Sequence, residues 1–373
     1  MTRHLRTLIL GVPLLASHAA GSQQTEFAAL VSRLSEDGGF FQSDNLVSNE
    51  TSYLHALDEL RVRGLKGGAY LGVGPEQGFS YIAELQPAVA IMIDIRRDNL
   101  LLHLLFKAMF ETARNRLEYL GMLYGRPVPG DLPMWTDVEL GQLIDYLDRT
   151  QVDRGLHART HQDLMRRVEL FGIPLTPEDR ETVRRFHDEF AYSGLDIRYS
   201  SRGRFPRMSF PTIRQLYLET DLAGNLGSYL ATENRWRRVR ELQRRDGVVP
   251  VVGDLSGPKA VKAIAAYLRE IHQPVSAFYL SNVESYLFRY GTFAGFVDNV
   301  RALPAAPGAV LIRSWFGRGI ALPNSLPGHY STQLVQPVTR FLELTQNLDR
   351  VTYWSLVNDT PVASAPRISP RLR

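Results

Sequence analysis

Several short apolar runs without polar alternation constrain the fold of this chain more than any other feature. They occupy residues 69–73, 89–94, 248–254, 275–281, 308–315 and 351–357. A continuous apolar run of this length is typical of a strand that is buried on both faces, and alternation of such runs with helices indicates a parallel sheet. We therefore predict an α/β fold with a doubly wound, mostly parallel, Rossmann-like sheet.

Helical patterns occupy most of the remaining sequence. The predicted helices cover residues 25–66, 79–85, 98–125 and 332–347. The length of 373 residues suits two domains, or one domain with a large insertion. We predict the second arrangement. Its segments are a signal peptide at 1–20, N-terminal helices and the first half of the core at 25–125, a helical insertion at 126–246, the second half of the core at 247–357, and a loose tail at 358–373.

The insertion carries two predicted helix starts and one basic loop. Thr136 and Glu139 have the spacing of a capping box, and Thr176 precedes a proline that suits the first helical position. The loop at 198–207 contains four arginines and two aromatic residues. We interpret it as a solvated surface loop, the alternative being a site for an anionic ligand.

The N-terminus has the three parts of a secretory signal. Arg3 and Arg6 precede a short apolar run, and small residues around Ala19 suit cleavage by a signal peptidase. The apolar run is too short to span a bilayer. We therefore expect a periplasmic or secreted protein without a stable membrane span; the alternatives are a buried N-terminal helix and a cytoplasmic location.

Composition excludes several classes of function. The chain has no cysteine, which rules out thiolate metal sites and a cysteine nucleophile. The net charge of +4 is too small to indicate a nucleic-acid partner. Neither a nucleophile elbow nor a phosphate-binding P-loop motif occurs. A small-molecule ligand is the expected partner, and the oligomeric state is left open.

A glycine-rich turn between the first predicted strand and its helix is the strongest candidate for a binding site. Gly72 and Gly74 allow a ligand to approach the backbone, and the helix that follows offers free amides. Asp94 ends the next strand, where a carboxylate can bind both ribose hydroxyls of a nucleoside. The alternative for Asp94 is a helix cap.

Two further strand ends carry polar side chains. Asp254 follows the third strand and could reach an adenine amino group, whereas Ser281, Asn282 and Glu284 follow the fourth. In a doubly wound sheet ligands bind at the carboxyl ends of the strands, so we expect all these turns on one edge. Asn282 and Glu284 offer an acceptor and a possible base, or serve only as turn and capping groups.

These blocks resemble an uncharacterised bacterial protein family whose order of elements is similar to the core of class I S-adenosylmethionine-dependent methyltransferases. The resemblance covers roughly residues 25–357. It rests on the runs at 70–82, 94–99, 249–254, 257–259 and 278–284. By position, the resemblance implies that Gly72 and Gly74 flank the methionine part of the cofactor, that Asp94 holds the ribose and that Asp254 faces the adenine.

The same resemblance implies a set of site residues and S-adenosylmethionine as the possible cofactor, with no metal. The cofactor-binding set is Gly72, Gly74, Glu76, Gln77, Asp94, Asp254 and Ser281, and the catalytic set around the methyl acceptor is Asn282, Glu284 and Tyr286. Ser281 and Asn282 would lie near the methyl donor.

Departures from the methyltransferase pattern leave three hypotheses open. Tyr70 stands where these enzymes usually have an acidic residue, and Glu76 replaces the third glycine. The first hypothesis is a methyltransferase. The second is an exported, catalytically retired methyltransferase fold that binds a small ligand. The third is a different enzyme with Glu76 and Glu284 as a carboxylate pair.

One histidine pair is a lesser candidate. His157 and His161 lie four positions apart on a predicted helix, with Asp153 one turn earlier. Zinc-protease helices carry Glu where this stretch has Ala158. We interpret the set as an exposed polar face rather than a metal site.

Overall fold

The computed structural model describes residues 18–43, 45–201, 207–317, 322 and 325–363, with side chains from residue 26 onward. The predicted signal peptide at 1–20 lies outside the described residues, except for the backbone of 18–20, which begins the first helix. No helix in the described part of the chain is both long and apolar enough to cross a membrane.

Six strands form one sheet in the order β3-β2-β1-β4-β5-β6. Neighbouring strands are parallel except β6, which is antiparallel to β5. The strands are β1 (Ala69–Gly72), β2 (Val89–Asp94), β3 (Val248–Val252), β4 (Val275–Ser281), β5 (Ala305–Trp315) and β6 (Thr332–Pro337). The predicted α/β, mostly parallel, doubly wound sheet is confirmed.

Fifteen α-helices accompany the sheet within the described residues. Those before β3 are α1 (His18–Leu34), α2 (Ala56–Val62), α3 (Gly78–Leu85), α4 (Arg97–Thr112), α5 (Arg116–Tyr124), α6 (Leu140–Arg149), α7 (Arg154–Leu170), α8 (Pro177–Ser193), α9 (Ile213–Tyr217) and α10 (Glu233–Arg244). Those after β3 are α11 (Ala260–Glu270), α12 (Val283–Tyr290), α13 (Phe293–Ala302), α14 (Val338–Leu344) and α15 (Tyr353–Asp359). All of α4–α10 therefore lie in the crossover from β2 to β3.

Helices cover both faces of the sheet. Phe278 on β4 contacts a ring of α13, with centroids 6.5 Å apart, whereas the next residue, Tyr279, contacts Tyr81 of α3 at 5.0 Å. Successive side chains of a strand point to opposite faces. The two helices thus lie on opposite sides, which explains why β1–β4 are buried without polar alternation.

Two predicted helices end earlier than their periodicity suggests. Residues 35–43 and 45–52 between α1 and α2 are not helical, and Gly38 and Gly39 follow the end of α1. The predicted helix at 98–125 is divided, because Asn115 caps the start of α5 by accepting a hydrogen bond from the Glu118 amide. An internal N-cap of this kind starts a new helix.

The helix predicted at 332–347 is confirmed only over Val338–Leu344, and the predicted strand at 351–357 is wrong. Residues 332–337 form β6 rather than a helix, because the buried Gln333 and Gln336 side chains bond polar groups on β5. Residues 353–359 form α15 rather than a strand. Thr352 and Ser355 make a reciprocal capping box at its start, and this local bonding prevails over the apolar run.

Of the two predicted helix starts in the insertion, one is confirmed and one is wrong. Thr176 caps α8, with Pro177 at its first position. The helix expected after Thr136 begins instead at Leu140, with Glu139 and Gln142 forming the capping box. The predicted loose tail is anchored at its start, where Val362 pairs with Leu334 at the edge of β6; residues 364–373 lie outside the described part.

Candidate functional site

The glycine-rich turn connects the carboxyl end of β1 to α3 and is fully buried. Gly74 has φ of +88°, which is a left-handed conformation that glycine adopts at low cost. A Cβ atom on Gly72 would lie 2.5 Å from the Tyr70 hydroxyl, so only glycine fits beside that ring. The Gly74 carbonyl is 3.0 Å from Nε2 of His103 on α4.

Asp94 ends the neighbouring strand, as the prediction required, but its carboxylate already has a partner. Because β1 and β2 are paired in parallel, the end of β2 lies beside the glycine turn. Oδ1 accepts from the backbone and Nε of Arg96, and Oδ2 accepts from its Nη2 at 3.0 Å. Arg96 is buried and also donates to the Ser43 carbonyl at 2.7 Å. A ribose would therefore compete with Arg96 for Asp94.

Buried polar atoms with unused hydrogen-bonding capacity lie around the same turn. Within the described residues no partner is found for Oε1 of Gln77, for either amide atom of Asn99 or for Nδ1 of His103. All three side chains are at most 4% exposed. Burial lowers the pKa of His103 to about 4, so its ring is neutral. Buried polar groups normally have partners, so these atoms indicate a place for a polar ligand or for water.

A non-helical segment, described for residues 35–43 and 45–52, crosses the carboxyl ends of the strands; we call it the covering segment. Its Glu36 amide bonds the end of β3 at Val252, and its Gly39 amide bonds Ile95 just after β2. Further along, the side-chain nitrogen Nδ2 of Asn45 lies 3.7 Å from the place that a Cβ atom on Gly74 would occupy. The segment thus passes β3, β2 and β1 in their spatial order and forms one wall of the candidate site.

The covering segment ends over β4 and β5 with Glu50, which sequence reasoning missed. Its carboxylate is 1% exposed and accepts hydrogen bonds from the side chains of Tyr279, Ser281, Ser314 and Gln333. Burial raises the pKa of Glu50, and these four donors oppose that shift. The hydroxyl of Ser281, which we predicted near a methyl donor, is thus used to hold Glu50.

The predicted catalytic residues after β4 differ in their availability. Glu284 forms a bidentate ion pair with Arg313, at 2.5 and 3.0 Å, and both side chains are 1% exposed. Glu284 therefore has a structural role in this ion pair and is not available to a substrate as a base. Asn282 precedes α12 without capping it through its side chain, and Tyr286 packs edge-on against Phe41 of the covering segment at 5.3 Å. Burial raises the pKa of Tyr286.

The other two predicted carboxylates also have local partners. Glu76 accepts a hydrogen bond from Tyr229 at 2.8 Å, and burial raises its pKa to about 7. Oδ1 of Asp254 accepts hydrogen bonds from the backbone amide and the hydroxyl of Ser256, both at 2.8 Å. Asp254 therefore stabilises the local turn. Because Glu76 and Glu284 are held by different partners, the structure gives no support to their action as a pair.

The histidine pair of α7 is not the exposed face that we expected. His157 is 3% exposed and lies 2.9 Å from the carboxylate of Asp188 on α8. His161 contacts His187 of the same helix at 3.2 Å. Asp153 instead caps α7. Within the described residues these groups do not form a metal-ligand cluster.

The family model for a domain of unknown function (DUF7790) matches residues 46–126 and 206–365. The chain belongs to this family. The DUF7790 match contains the glycine turn, Asp94, Asp254 and the residues after β4, and it omits α6, α7 and α8. No curated protein matches the chain.

Three more residues within the DUF7790 match form a cluster that sequence reasoning missed. His55, Glu219 and His329 have ligand atoms that all lie within 4.8 Å of one another. They are more than a hundred positions apart along the chain, so no local motif connects them. No spacing pattern in the sequence points to this cluster, and the same is true of Glu50.

Proposed function

We propose that this chain binds S-adenosylmethionine or a related nucleoside at the carboxyl edge of its sheet, as a class I methyltransferase-like protein. The proposal rests on one observation above all: the buried glycine turn, the carboxylate of Asp94 and the unpaired polar atoms of Gln77 and His103 are adjacent, and the unpaired amide of Asn99 lies about one helical turn before His103 on α4. The strand order reverses between β1 and β4, and doubly wound sheets bind ligands at such a point.

The chemistry of these groups suits a nucleoside with a charged tail. The left-handed backbone at Gly74 leaves room for close approach, and amides at the start of α3 can bind a carboxylate. Asp94 can accept both ribose hydroxyls if Arg96 releases it. In this arrangement the covering segment, through Asn45, lies against the bound ligand.

Methyl transfer is the first of two candidate outcomes of binding. Asn282 and Tyr286 remain as groups near the methyl acceptor, because the Asn282 side chain does not cap α12 and Tyr286 packs edge-on against the covering segment. Transfer from a sulfonium needs an oriented acceptor more than a strong base, so loss of Glu284 as a base does not remove the activity.

The second candidate is a ligand-binding protein on a retired methyltransferase fold. It is favoured by a specific observation: the carboxylates nearest the predicted methyl acceptor, Glu50 and Glu284, are both buried and fully engaged with neighbouring side chains. In this case the cofactor or its nucleoside relative is bound and released unchanged.

Calorimetric titration of the purified chain with S-adenosylmethionine and S-adenosylhomocysteine tests the proposal. We expect micromolar binding that Asp94→Asn weakens at least about tenfold, equivalent to about 1.4 kcal/mol. Asp298→Asn, a change at an exposed surface pair, is the matched control and leaves binding unchanged. Absence of heat up to millimolar ligand, with the protein folded, would overturn the nucleoside site.

Mass spectrometry then separates the two candidates. The chain is incubated with S-adenosylmethionine and a panel of small acceptors that carry amine, hydroxyl or carboxylate groups. Release of S-adenosylhomocysteine supports the methyltransferase. Tight binding with the cofactor recovered intact supports the ligand-binding protein.

A further inference from the structure

Three metal-ligating side chains meet at one point away from the glycine turn. His55 lies in the 3₁₀ turn Tyr53–His55, Glu219 follows α9, and His329 lies in the connection from β5 to β6. Oε1 of Glu219 is 3.5 Å from Nε2 of His329 and 4.0 Å from Nε2 of His55. The two imidazole rings are in edge-on contact, with centroids 4.6 Å apart.

The spacing of these atoms is close to that around a small divalent ion. Zn²⁺ binds His nitrogen and carboxylate oxygen at about 2.0–2.2 Å, which places tetrahedral ligand atoms about 3.3 Å apart. The distances within the cluster exceed that value by a few tenths of an ångström to about 1.5 Å. Metal binding would draw the ligand atoms of the three side chains together by this difference.

A surface pocket opens on the cluster. It has a volume of about 340 Å³, and its walls include Glu219 and His329 together with Thr51, Gln215 and Thr220. His55 is 7% exposed and is not among the residues that line the pocket. Three protein ligands with one side open to a pocket is the pattern of a catalytic metal site, in which water or substrate takes the remaining position.

We propose that His55, Glu219 and His329 bind a divalent transition metal of the zinc class, with one coordination position facing the pocket. Two neutral imidazoles and one carboxylate are the donors that suit such ions, whereas Mg²⁺ and Ca²⁺ prefer oxygen ligands. The bound metal would act as a Lewis acid on a ligand in the pocket.

Neighbouring groups position the three ligands. The Thr220 amide donates to Oε1 of Glu219 at 3.0 Å. Directly after His329, the Tyr330 amide donates to Oγ1 of Thr51 at 2.9 Å, and the Ser331 hydroxyl is 2.9 Å from that of Ser52. These bonds fix the His329 segment against the segment that carries His55. Outer contacts of this kind orient metal ligands.

One polar atom within the cluster lacks a partner. Nδ1 of His329 is buried and has none among the described residues. The other ring nitrogen, Nε2, makes only a long contact of 3.5 Å with Oε1 of Glu219. Metal coordination at Nε2 would replace this long contact and balance the charge of Glu219.

Titration of the EDTA-treated full chain with Zn²⁺, followed by calorimetry and melting temperature, tests this proposal. We expect one equivalent of Zn²⁺ per chain and a rise in melting temperature, because a ligand that binds only the folded state stabilises it. His329→Ala and Glu219→Gln should each weaken binding at least about 100-fold, more than loss of an outer contact does. Circular dichroism confirms that each variant is folded.

The matched control is His272→Asn, which removes an exposed histidine with φ of +54° in favour of a residue that tolerates this conformation. It should bind Zn²⁺ like the wild type. Co²⁺ substitution adds a readout of ligand type, since a tetrahedral site with two nitrogens gives visible absorption that the His329→Ala variant loses. Unchanged affinity in both cluster variants, or a preference for Mg²⁺ over Zn²⁺, would overturn the site. The proposal does not depend on nucleoside binding.

Discussion

The two halves of the sheet's carboxyl edge are equally buried but differ in how their polar groups are satisfied. At the ends of β4 and β5, Glu50 accepts from four side chains and Glu284 pairs with Arg313. At the ends of β1 and β2, the amide of Asn99 and one nitrogen of His103 have no partner in the described structure.

This difference separates structural groups from candidate binding groups. A buried polar network in which every member has a partner stabilises the fold and leaves nothing for a ligand to gain. Buried polar atoms without partners cost free energy, and a ligand that bonds them recovers it. Both halves carried predicted site residues, and Oε1 of Gln333 and Nε2 of Gln336 in the β4–β5 half also lack a partner among the described residues. Each of these glutamines nevertheless holds a hydrogen bond through its other amide atom, whereas neither amide atom of Asn99 in the β1–β2 half has one.

The largest expected effect comes from breaking the ion pair of the β4–β5 half. Arg313→Met should lower the free energy of unfolding by about 3–5 kcal/mol, because it leaves Glu284 buried without its cation. Chemical denaturation measures the loss. Adding Glu284→Leu should restore most of it, and Arg301→Met, at an exposed pair, should cost less than about 1 kcal/mol. A loss below 1 kcal/mol for Arg313→Met contradicts a structural role.

A slightly smaller change in the free energy of unfolding is expected from the titration of Glu76. Burial raises the pKa of this carboxyl group from 4.5 to about 7. Between these two pH values the folded state binds more protons than the unfolded state. The free energy of unfolding therefore falls as pH rises through this window, by up to roughly 3 kcal/mol from this group. Glu76→Gln should remove that part of the slope.

Urea denaturation from pH 4.5 to 8 checks this expectation through the difference between wild type and variant. The exposed Glu26→Gln is the control and should leave the slope as it is. A wild-type-minus-variant difference that stays constant over the range contradicts the raised pKa of Glu76.

A still smaller change in stability should accompany Gly74→Ala. Ligand binding then distinguishes this glycine of the β1–β2 half from Gly291, which follows α12 beyond β4. Gly74 and Gly291 both have positive φ, so alanine at either position should cost about 1–2 kcal/mol. Gly291 ends α12 with open space around it, which makes Gly291→Ala the control for backbone strain. Calorimetry should find at least about tenfold weaker S-adenosylhomocysteine binding for Gly74→Ala only, and equal affinities would argue against the glycine turn as the site.

The smallest change in stability is expected for Asn99→Leu. Replacing a buried side chain whose polar atoms lack partners by an apolar one of similar size should alter the free energy of unfolding by less than about 1 kcal/mol, or raise it. Binding of S-adenosylhomocysteine should nevertheless weaken. A loss of stability above 2 kcal/mol would mean that Asn99 already has a structural partner, such as a bound water.

The sequence predicted the core of this fold where burial is continuous. The strands at 89–94 and 275–281 have the expected bounds. A continuous apolar run can be recognised as a strand buried on both faces without knowing which elements pack beside it. The helix predicted at 332–347 begins only at Val338, because the buried glutamines of Thr332–Pro337 hid a strand in the sequence. The strand predicted at 351–357 is a helix, because a capping box at Thr352 outweighs the apolar run.

The candidate site was predictable only where it follows the strand ends. Gly74 and Asp94 come directly after apolar runs, so their place on the edge follows from the parallel sheet. Arg96 was visible in the sequence, but its bond to Asp94 depends on side-chain geometry. Glu50 and His55 act through partners that are distant in sequence, and their segment was taken for a helix.

Hydrogen–deuterium exchange with and without S-adenosylhomocysteine tests most directly whether the ligand binds the β1–β2 half of the edge. Saturating ligand should slow exchange at residues 72–78 and 94–99 and within the covering segment near Asn45. Exchange at 281–290 should change much less. Protection confined to 281–290, or no protection despite measured binding, would contradict the assignment of the site to the β1–β2 half.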